Sequence, residues 1–506
     1  MNQSAIEPVW RPLKALLGGS IEVPDDVEVA DLTLDSREVR QGAAFLACRG
    51  RSRHGLDFAR AAVDAGARAV LWEPAPGVNA PQFPASVLVV AVPELSAQAG
   101  YIADRFFSAP SARLAVTGIT GTNGKTTCAW LLAAALNASG RSCAYLGTLG
   151  AGLAGRIVSG TLTTPDAVSL HRQLAQLRDA GALAVAMEVS SHALDQHRCA
   201  GVRFQVAAFT NLSRDHLDYH GDLRSYAAAK STLFEWPTLS ARVINVDDSL
   251  GLELASRAPP DAMLIVTGRR TDPTQRVPGA RYIRALRSAH PPQGLEIALE
   301  SSWGQGSLIS PLIGDFNVDN LLTVLGVLLA NGMAFEQALS VLATCPAPPG
   351  RMQVVGGGAL PLAIVDYAHT PDALDHALRA ARAHCAGRLL CVFGCGGERD
   401  RGKRAQMGQV AESLADELYI TDDNPRGEDP KRIVQDILGG LAHPERAQVQ
   451  HDRAASIAAA VAAAIPGDVI LVAGKGHEDY QLAGAERRPF SDVAQVRAAL
   501  SIRSAA

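Results

Sequence analysis

The sequence predicts an α/β protein of three domains, with a central, mostly parallel sheet and a C-terminal doubly wound, Rossmann-like sheet. Three observations predict it. At 506 residues the chain exceeds what one hydrophobic core organises. Strand-like apolar runs alternate with amphipathic helical stretches along its length, the pattern of βα units. Near the start of the last third, "CPAPPGR", residues 345–351, concentrates prolines and a glycine into a hinge-like connection. The expected divisions are 1–95, 96–346 and 347–506.

Each block has its own run of elements. The first alternates "AVLWE" and "SVLVVAV" with the helical "LDFARAAVDAGA". The second opens on a helix, "SAQAGYIADRFF", then the strand "RLAVTGIT" and the strand-like "GALAVAMEVS", "QVAAFTNL" and "ARVINVDD". The third carries four strand-like runs, "LPLAIVDYAHT", "RLLCVFGCGGER", "ELYITDDNPR" and "DVILVAGKGHE", with "DALDHALRAARAHC" and "KRIVQDILGGLA" as helices between them. Each of these four strands ends in a polar cluster, at 366–369, 394–399, 423–426 and 474–478. Open α/β sheets bind ligands along their carboxyl edge, so four clusters on that edge predict a site.

Composition removes several classes of function. Hydrophobic residues make up 47% and charged residues 19%, which fits a packed globular protein. The net charge of −4 comes without a basic stripe or tail, so no nucleic-acid partner is expected. The start, "MNQSAIEPVW", lacks a basic segment and an apolar core of the secretory type. The apolar stretches "LLTVLGVLLANG" and "AASIAAAVAAAIPG" fall short of a bilayer span, so no membrane is expected and the location read is cytoplasmic. Eight cysteines show no metal-type pairing. Cys391 and Cys395 come nearest, but the glycines around Cys395 suit a ligand loop, and reduced thiols are expected throughout.

"VTGITGTNGKTT", residues 116–127, is the strongest local signal. A strand precedes it and the helical "TCAWLLAAALNAS" follows. Glycines there let backbone N–H groups wrap a polyphosphate while the helix N-terminus adds positive potential. Lys125 can reach the β- and γ-phosphates, and Thr126 offers a hydroxyl to Mg²⁺. The central sheet is thus read as P-loop ATPase-type. The strict G-x-x-x-x-G-K-[ST] pattern would need glycine at 119, where the chain has Ile119; its glycines are Gly118, Gly121 and Gly124.

G-T-N-G-K-T-T in this setting resembles the ATP loop of the Mur ligase family, which also includes folylpolyglutamate synthetases, and the resemblance extends over nearly the whole chain. It implies that Gly121, Thr122, Asn123, Gly124, Lys125, Thr126 and Thr127 hold ATP. In "MEVSSHALDQHR" it implies Glu188 as a Mg²⁺ ligand, where chemistry alone reads an ordinary strand-end glutamate. In "TNLSRDHLDYHGDLRSYAAAK" it implies His216 as a second ligand, although Mg²⁺ prefers oxygen. Lys230 would by itself be a solvated helix lysine, and an ammonium has no lone pair for a metal. The family position implies a lysine carbamylated by CO₂, an anionic oxygen ligand. Asn317 in "LIGDFNVDN" matches an adenine-side contact, or alternatively caps a helix. Arg351, Asp366 and His369 match positions that the third domain contributes to the ATP site.

The implied reaction is amide-bond formation driven by ATP, giving ADP and phosphate. A carboxylate attacks the γ-phosphate to form an acyl phosphate, and an amine then displaces phosphate from that carbonyl. Leu34, Ser36, Arg51, Ser52 and Arg53 fall where peptidoglycan-type members hold the uridine diphosphate end of the carboxylate donor. Thr163, Thr164, Ser190, Gln196 and Arg198 match contacts to UDP-N-acetylmuramoyl-L-alanyl-D-glutamate. Leu162 and Pro165 depart from the commoner Asn-Thr-Thr-Gly form.

"TDDNPRGEDP", residues 421–430, selects the amine. Asn-Pro commonly initiates a turn, so a bare strand-ending turn is one reading. The other is substrate recognition, because Asp-Asn-Pro-Arg resembles the signature of members that add meso-diaminopimelate. That diamino acid differs from lysine by a carboxylate at its far end, and Arg426 offers a planar fork for bidentate capture of it. Arg399, Asp423, Asn424, Pro425, Gly474 and Glu478 match the remaining contacts, Glu478 toward the distal ammonium. The alternatives are the L-lysine-adding member or a folylpolyglutamate synthetase. A monomer is expected.

Overall fold

The computed structural model describes residues 9–19, 21–291 and 294–505. Residues 1–8, which carry most of the start read above for a leader, lie outside the described residues. Two compact units divide the chain: Met1–Ala129, Leu136–Ile244 and Asp248–Leu264 form one, and Trp130–Ala135, Asn245–Asp247 and Ile265–Ala506 the other.

In the first unit, Asp31–Thr33, Ala43–Ala47, Ala69–Trp72 and Leu88–Ala91 pair in that order as a parallel sheet. A second sheet centres on Ala115–Thr120, with Ala184–Glu188 on one side and Phe204–Phe209 on the other, both parallel. Cys143–Gly147 and Ala241–Asn245 extend it in parallel, and Gly150–Leu153 adds an antiparallel edge. Ala184–Glu188 and Ala241–Asn245 are buried along their whole length, and Ala115–Thr120 and Phe204–Phe209 at all but one position each, which is why they read as apolar runs rather than alternating ones.

Residues 265–268 of the strand Met263–Gly268 lie in the second unit and run parallel to Arg281–Ala289, which continues antiparallel into Leu295–Ser301 and Gly304–Ser310. The C-terminal sheet has the order Gln353–Gly356, Leu362–Asp366, Val469–Ala473, Leu389–Phe393, Glu417–Ile420, Gln448–Val449. All its pairings are parallel except the first. The four strand-like runs of the third block therefore become its four inner strands, in the doubly wound arrangement expected. Their helices start on side-chain caps followed by proline: Thr370 accepts from Ala373 N before Pro371–Arg382, and Asp429 from Lys431 N before Pro430–Leu438.

Three features go beyond the sequence reading: the antiparallel strands over 281–310, the edge strands of the C-terminal sheet, and a hairpin of Tyr480–Ala483 with Glu486–Pro489. All eight cysteines are free thiols, and burial pushes Cys391 and Cys395 up to about 12. Among the described residues no helix is long and apolar enough to cross a membrane.

Arg453 anchors the carboxyl edge of the C-terminal sheet from below. Its guanidinium is buried and forked onto Asp492 at 2.7 and 2.8 Å, and it also donates to Ala473 O at 2.9 Å, one residue before Gly474. Removing one partner of a buried pair strands the other charge and costs about 3–5 kcal/mol. Asp492→Ala should therefore lower the unfolding free energy of the C-terminal sheet by that order, read by circular dichroism on the full chain as a lower urea midpoint at unchanged slope.

Candidate active site

The phosphate loop is shaped before any ligand arrives. Gly121 (φ +149°) and Gly124 (φ +85°) adopt backbone that favours glycine, and a Cβ on Gly121 would collide with Thr210 Oγ1. Residues 210–213 brace the loop from outside. Thr122 N donates to Asn211 O (2.8 Å), Asn123 N to Asn211 Oδ1 (3.0 Å), Thr210 Oγ1 to Asn123 O (2.6 Å) and Ser213 N to Thr122 Oγ1 (2.9 Å). Lys125 opens the helix Lys125–Ala138 and folds back over the loop, its Nζ donating to the carbonyls of Gly121 and Thr122 at 2.9 and 2.8 Å. Thr126 and Thr127 are buried in the same first turn.

Glu188 is fully buried at the end of its strand. Thr126 Oγ1 donates to its Oε2 at 2.9 Å, Thr148 N and Oγ1 donate at 2.9 and 3.2 Å, and the Tyr145 hydroxyl donates to Oε1. The strand-end glutamate is thus no surface residue. Its carboxylate and the Thr126 hydroxyl form a pair of hard oxygen donors, the chemistry that suits Mg²⁺. His216 stands in left-handed backbone (φ +53°) with a half-exposed ring, 3.5 Å from Asp215 and edge-on to His192 at 4.9 Å. Among the described residues, no group of three or more His, Cys, Asp or Glu side chains is placed to hold a metal.

Lys230 departs most from its bare chemical reading. It is 1% exposed on the helix Leu223–Ser231, donates from Nζ to Gly121 O at 2.8 Å, and lies 4.4 Å from the Tyr226 ring centroid. Burial, reinforced by the charge of Lys125, pulls its pKa down to about 6. Two lysines converge on a single carbonyl oxygen, and one of them is poised as a neutral amine.

Beside this cluster lies a cleft of about 1130 Å³ lined by Leu34, Ser36, Phe58, Leu162, Pro165 and Gln173 among others. Leu162, the departure from the family pattern, is half exposed on it. Thr163 Oγ1 is 3.1 Å from Thr148 Oγ1, which ties the cleft to Glu188. Thr164 Oγ1 donates to Glu188 O (2.9 Å) and accepts from Ser190 N (3.1 Å), while Ser190 caps the helix Ser191–Asp195. Arg198 donates to Thr164 O at 3.0 Å and to Gln196 Oε1 at 2.9 Å. Gln196 in turn donates to the Tyr219 hydroxyl at 2.7 Å. Arg51 packs its guanidinium 4.0 Å from the Tyr219 ring centroid and donates to Tyr219 O; Ser52 and Arg53 are exposed, Arg53 pairing with Asp57.

Asn317, Arg351 and Asp366 belong to the second unit. Asn317 does not cap its helix: Asp315 holds the cap position, and Asn317 is buried, donating to Ile313 O at 2.7 Å and accepting from Asn320 Nδ2 at 2.8 Å. Asp366 accepts from Met352 N (2.7 Å) and Ala368 N (2.9 Å), holding the turn that carries Arg351. Burial raises the Asp366 pKa against the pull of Arg351. His369 is exposed and stacks near Tyr367.

The Asp-Asn-Pro-Arg segment joins the loops on either side of it. Asp423, Asn424 and Pro425 are buried. Asn424 Nδ2 donates to Glu478 Oε2 at 2.8 Å, and Arg426 donates to Gly397 O at 2.9 Å. Gly474 (φ +119°) must be glycine, since a Cβ would meet Asp423 Oδ2 at 2.5 Å. Arg399 is exposed on the neighbouring loop. The turn therefore gathers Asp423, Asn424, Arg426, Gly474 and Glu478 into one cluster.

Sequence reasoning missed Tyr145 and Thr148 behind Glu188, Tyr219 beneath Arg51, and Lys475. The first three carry no local signal. Lys475 does: a lysine between two glycines at a strand end has little reason to be there as a surface charge, and it is fully buried.

Comparison with known proteins places these clusters in a family. The description "Mur ligase family, catalytic domain" matches residues 28–107, "Mur ligase middle domain" residues 119–328, and "Mur ligase, glutamate ligase domain" residues 350–476. The UDP-N-acetylmuramoyl-L-alanyl-D-glutamate–2,6-diaminopimelate ligase of Ectopseudomonas mendocina is 48% identical over 98% of this chain and 99% of its own. Its counterpart from Xanthomonas campestris is 49% identical over 95% of each. A solved structure of a ligase of the same name is 34% identical, with a TM-score of 0.73 over 98% of this chain and all of that one. With the phosphate loop, the buried glutamate and the polar sheet edge in place, the chain belongs to the Mur ligase family.

Proposed function

We propose that this chain joins meso-2,6-diaminopimelate to the D-glutamyl carboxylate of UDP-N-acetylmuramoyl-L-alanyl-D-glutamate, consuming ATP through an acyl phosphate. The observation that carries the reading is the cluster at the carboxyl edge of the last sheet. It presents a guanidinium, Arg426, in one cluster with the buried carboxylate of Asp423 and the half-buried one of Glu478. A distal amino-acid head needs one group of each sign, and lysine would leave the guanidinium unpaired. The names of the relatives support the same substrates. The division 1–95, 96–346 and 347–506 is proposed as donor, nucleotide and amine domains; the second and third matched segments, 119–328 and 350–476, fall within it, while the first, 28–107, runs past residue 95.

The chain's own residues supply the steps. The loop amides and Lys125 hold the β- and γ-phosphates. Thr126 and Glu188 would hold Mg²⁺, with His216 and modified Lys230 as further ligands, and the ion would supply positive charge between phosphate and the incoming carboxylate. Arg51, Ser52 and Arg53 bind diphosphate, and Thr163, Thr164, Ser190, Gln196 and Arg198 orient the dipeptide end. Asn317, Arg351 and Asp366 complete the nucleotide contacts, and Arg399 adds a second cation for the amine substrate.

The burial of Lys230 supports the carbamate reading. Its nitrogen forms a bond to the carbon of CO₂ and a proton leaves to solvent, a reaction open only to the neutral amine. A pKa of about 6 makes that form dominant at neutral pH. The product is an anion, so repulsion from Lys125 becomes attraction. Carbon-13 NMR with labelled bicarbonate should show one carbamate resonance in the full chain that is missing in Lys230→Met; identical spectra would refute the modification.

ADP release with UDP-muramoyl-dipeptide should depend on diaminopimelate, with lysine poorer by roughly 10⁴ in kcat/KM. Arg426→Ala should bring the two amines to within about tenfold while the KM for ATP stays put. An enzyme indifferent to diaminopimelate would overturn the reading. Lys125→Ala should lose ADP formation with every amine, and surviving turnover would remove the loop from the reaction.

A further inference from the structure

Lys475 lies at the centre of the amine cluster, although neither the family signature nor the reaction assigns it a task. It is wholly buried. Its Nζ donates to Asn424 Oδ1 and to Glu478 Oε2, both at 3.0 Å, and stands 3.8 Å from Asp423 Oδ1. Asn424 Oδ1 also accepts from Leu482 N at 2.9 Å, while its Nδ2 donates to the same Glu478 oxygen at 2.8 Å.

These bonds leave Asn424 one orientation, because its oxygen must face two donors and its amide the carboxylate. They also use up one Glu478 oxygen. Among the described residues, Glu478 Oε1 and the Asp423 carboxylate accept no hydrogen bond, so acceptors remain for a further ammonium.

Formal charge adds a second line of reasoning. Asp423, Glu478 and Asp492 face Lys475 and Arg453, with Arg453 already forked onto Asp492. Lys475 therefore sets the cluster at a single negative charge in excess, next to the guanidinium of Arg426. A ligand head with one ammonium and one carboxylate balances that arrangement. Without Lys475 the excess would double, and a bare ammonium would be favoured over a zwitterion.

We propose that Lys475 is a positioning and specificity-determining residue, a built-in cation that orients Asn424 and Glu478 and tunes the pocket to a zwitterionic amino-acid head. The inference rests on the amine-site reading above and goes beyond it. The substrate's ammonium joins Lys475 on the carboxylates and does not replace it.

Two experiments test this on the full chain. In Lys475→Met, whose side chain approximates the lost stem, the KM for diaminopimelate should rise about tenfold or more, with kcat and the KM values for ATP and UDP-muramoyl-dipeptide within about twofold. The preference for diaminopimelate over lysine should fall by at least the same factor. An unchanged diaminopimelate KM, or a parallel rise in all three KM values, would overturn the proposal. The second experiment needs no variant: a crystal structure of the wild type with diaminopimelate should keep Lys475 Nζ within hydrogen-bonding reach of Glu478 Oε2. An ammonium of the ligand found in that place, with Lys475 turned away, would overturn it equally. Absence of diaminopimelate-dependent turnover in the wild type would instead reject the function itself, so the two failures are distinguishable.

Discussion

A parallel strand buried on both faces uses its backbone groups within its sheet and has room for reactive polar side chains chiefly where it runs out. Chemistry in this protein obeys that limit. Glu188 is the last residue of its strand, the phosphate loop begins as Ala115–Thr120 ends, and Asp366 closes Leu362–Asp366. Asp423 and Gly474 follow Ile420 and Ala473 within three residues. Polar groups that would be ruinous one turn earlier become a site once the sheet orders them into a row.

Burial then decides the character of each charge. Glu188 keeps its carboxylate inside because three hydroxyls and an amide donate to it. Lys230 has only a carbonyl and an aromatic face, so it surrenders its proton easily. Both lie beside Thr126 and Gly121, so the phosphate loop carries the charge economy of the whole cluster.

The parallel sheets were legible because their strands are continuous apolar runs punctuated by glycine and polar turns, and the loop was legible because few other uses exist for Gly-Lys-Thr at a strand-to-helix junction. What escaped were strands that alternate. Leu295, Ile297, Leu299 and Ser301 face inward while Glu296 faces water, and such half-polar segments resemble exposed loops in composition. The hairpin Tyr480–Ala483 with Glu486–Pro489 is only partly buried and is held by pairing rather than by an apolar core. Within the site, Arg426 and Lys125 could be read from residue type and position. The burial of Lys230 could not, since its helix is merely alanine-rich; the wall it meets, Gly121 and Tyr226, is brought there by tertiary packing.

That unreadable hairpin fixes the backbone of Arg426. Arg426 sits in left-handed backbone (φ +53°), a conformation costly for a residue with a Cβ. Both of its backbone groups are taken: its N donates to Leu482 O at 3.1 Å, and its O accepts from Gly484 N at 2.6 Å. The same hairpin reaches Asp423 O through Gln481 at 2.8 Å and Asn424 Oδ1 through Leu482 N at 2.9 Å. The turn is thus strapped at three of its four residues by a ribbon outside the main sheet. A guanidinium on a loose turn would swing to follow whichever ligand arrived, and a lysine side chain would cost it little. Held at that backbone angle by the strap, Arg426 projects its side chain from a fixed Cα, which lowers the entropy lost when the guanidinium pairs with an anionic group.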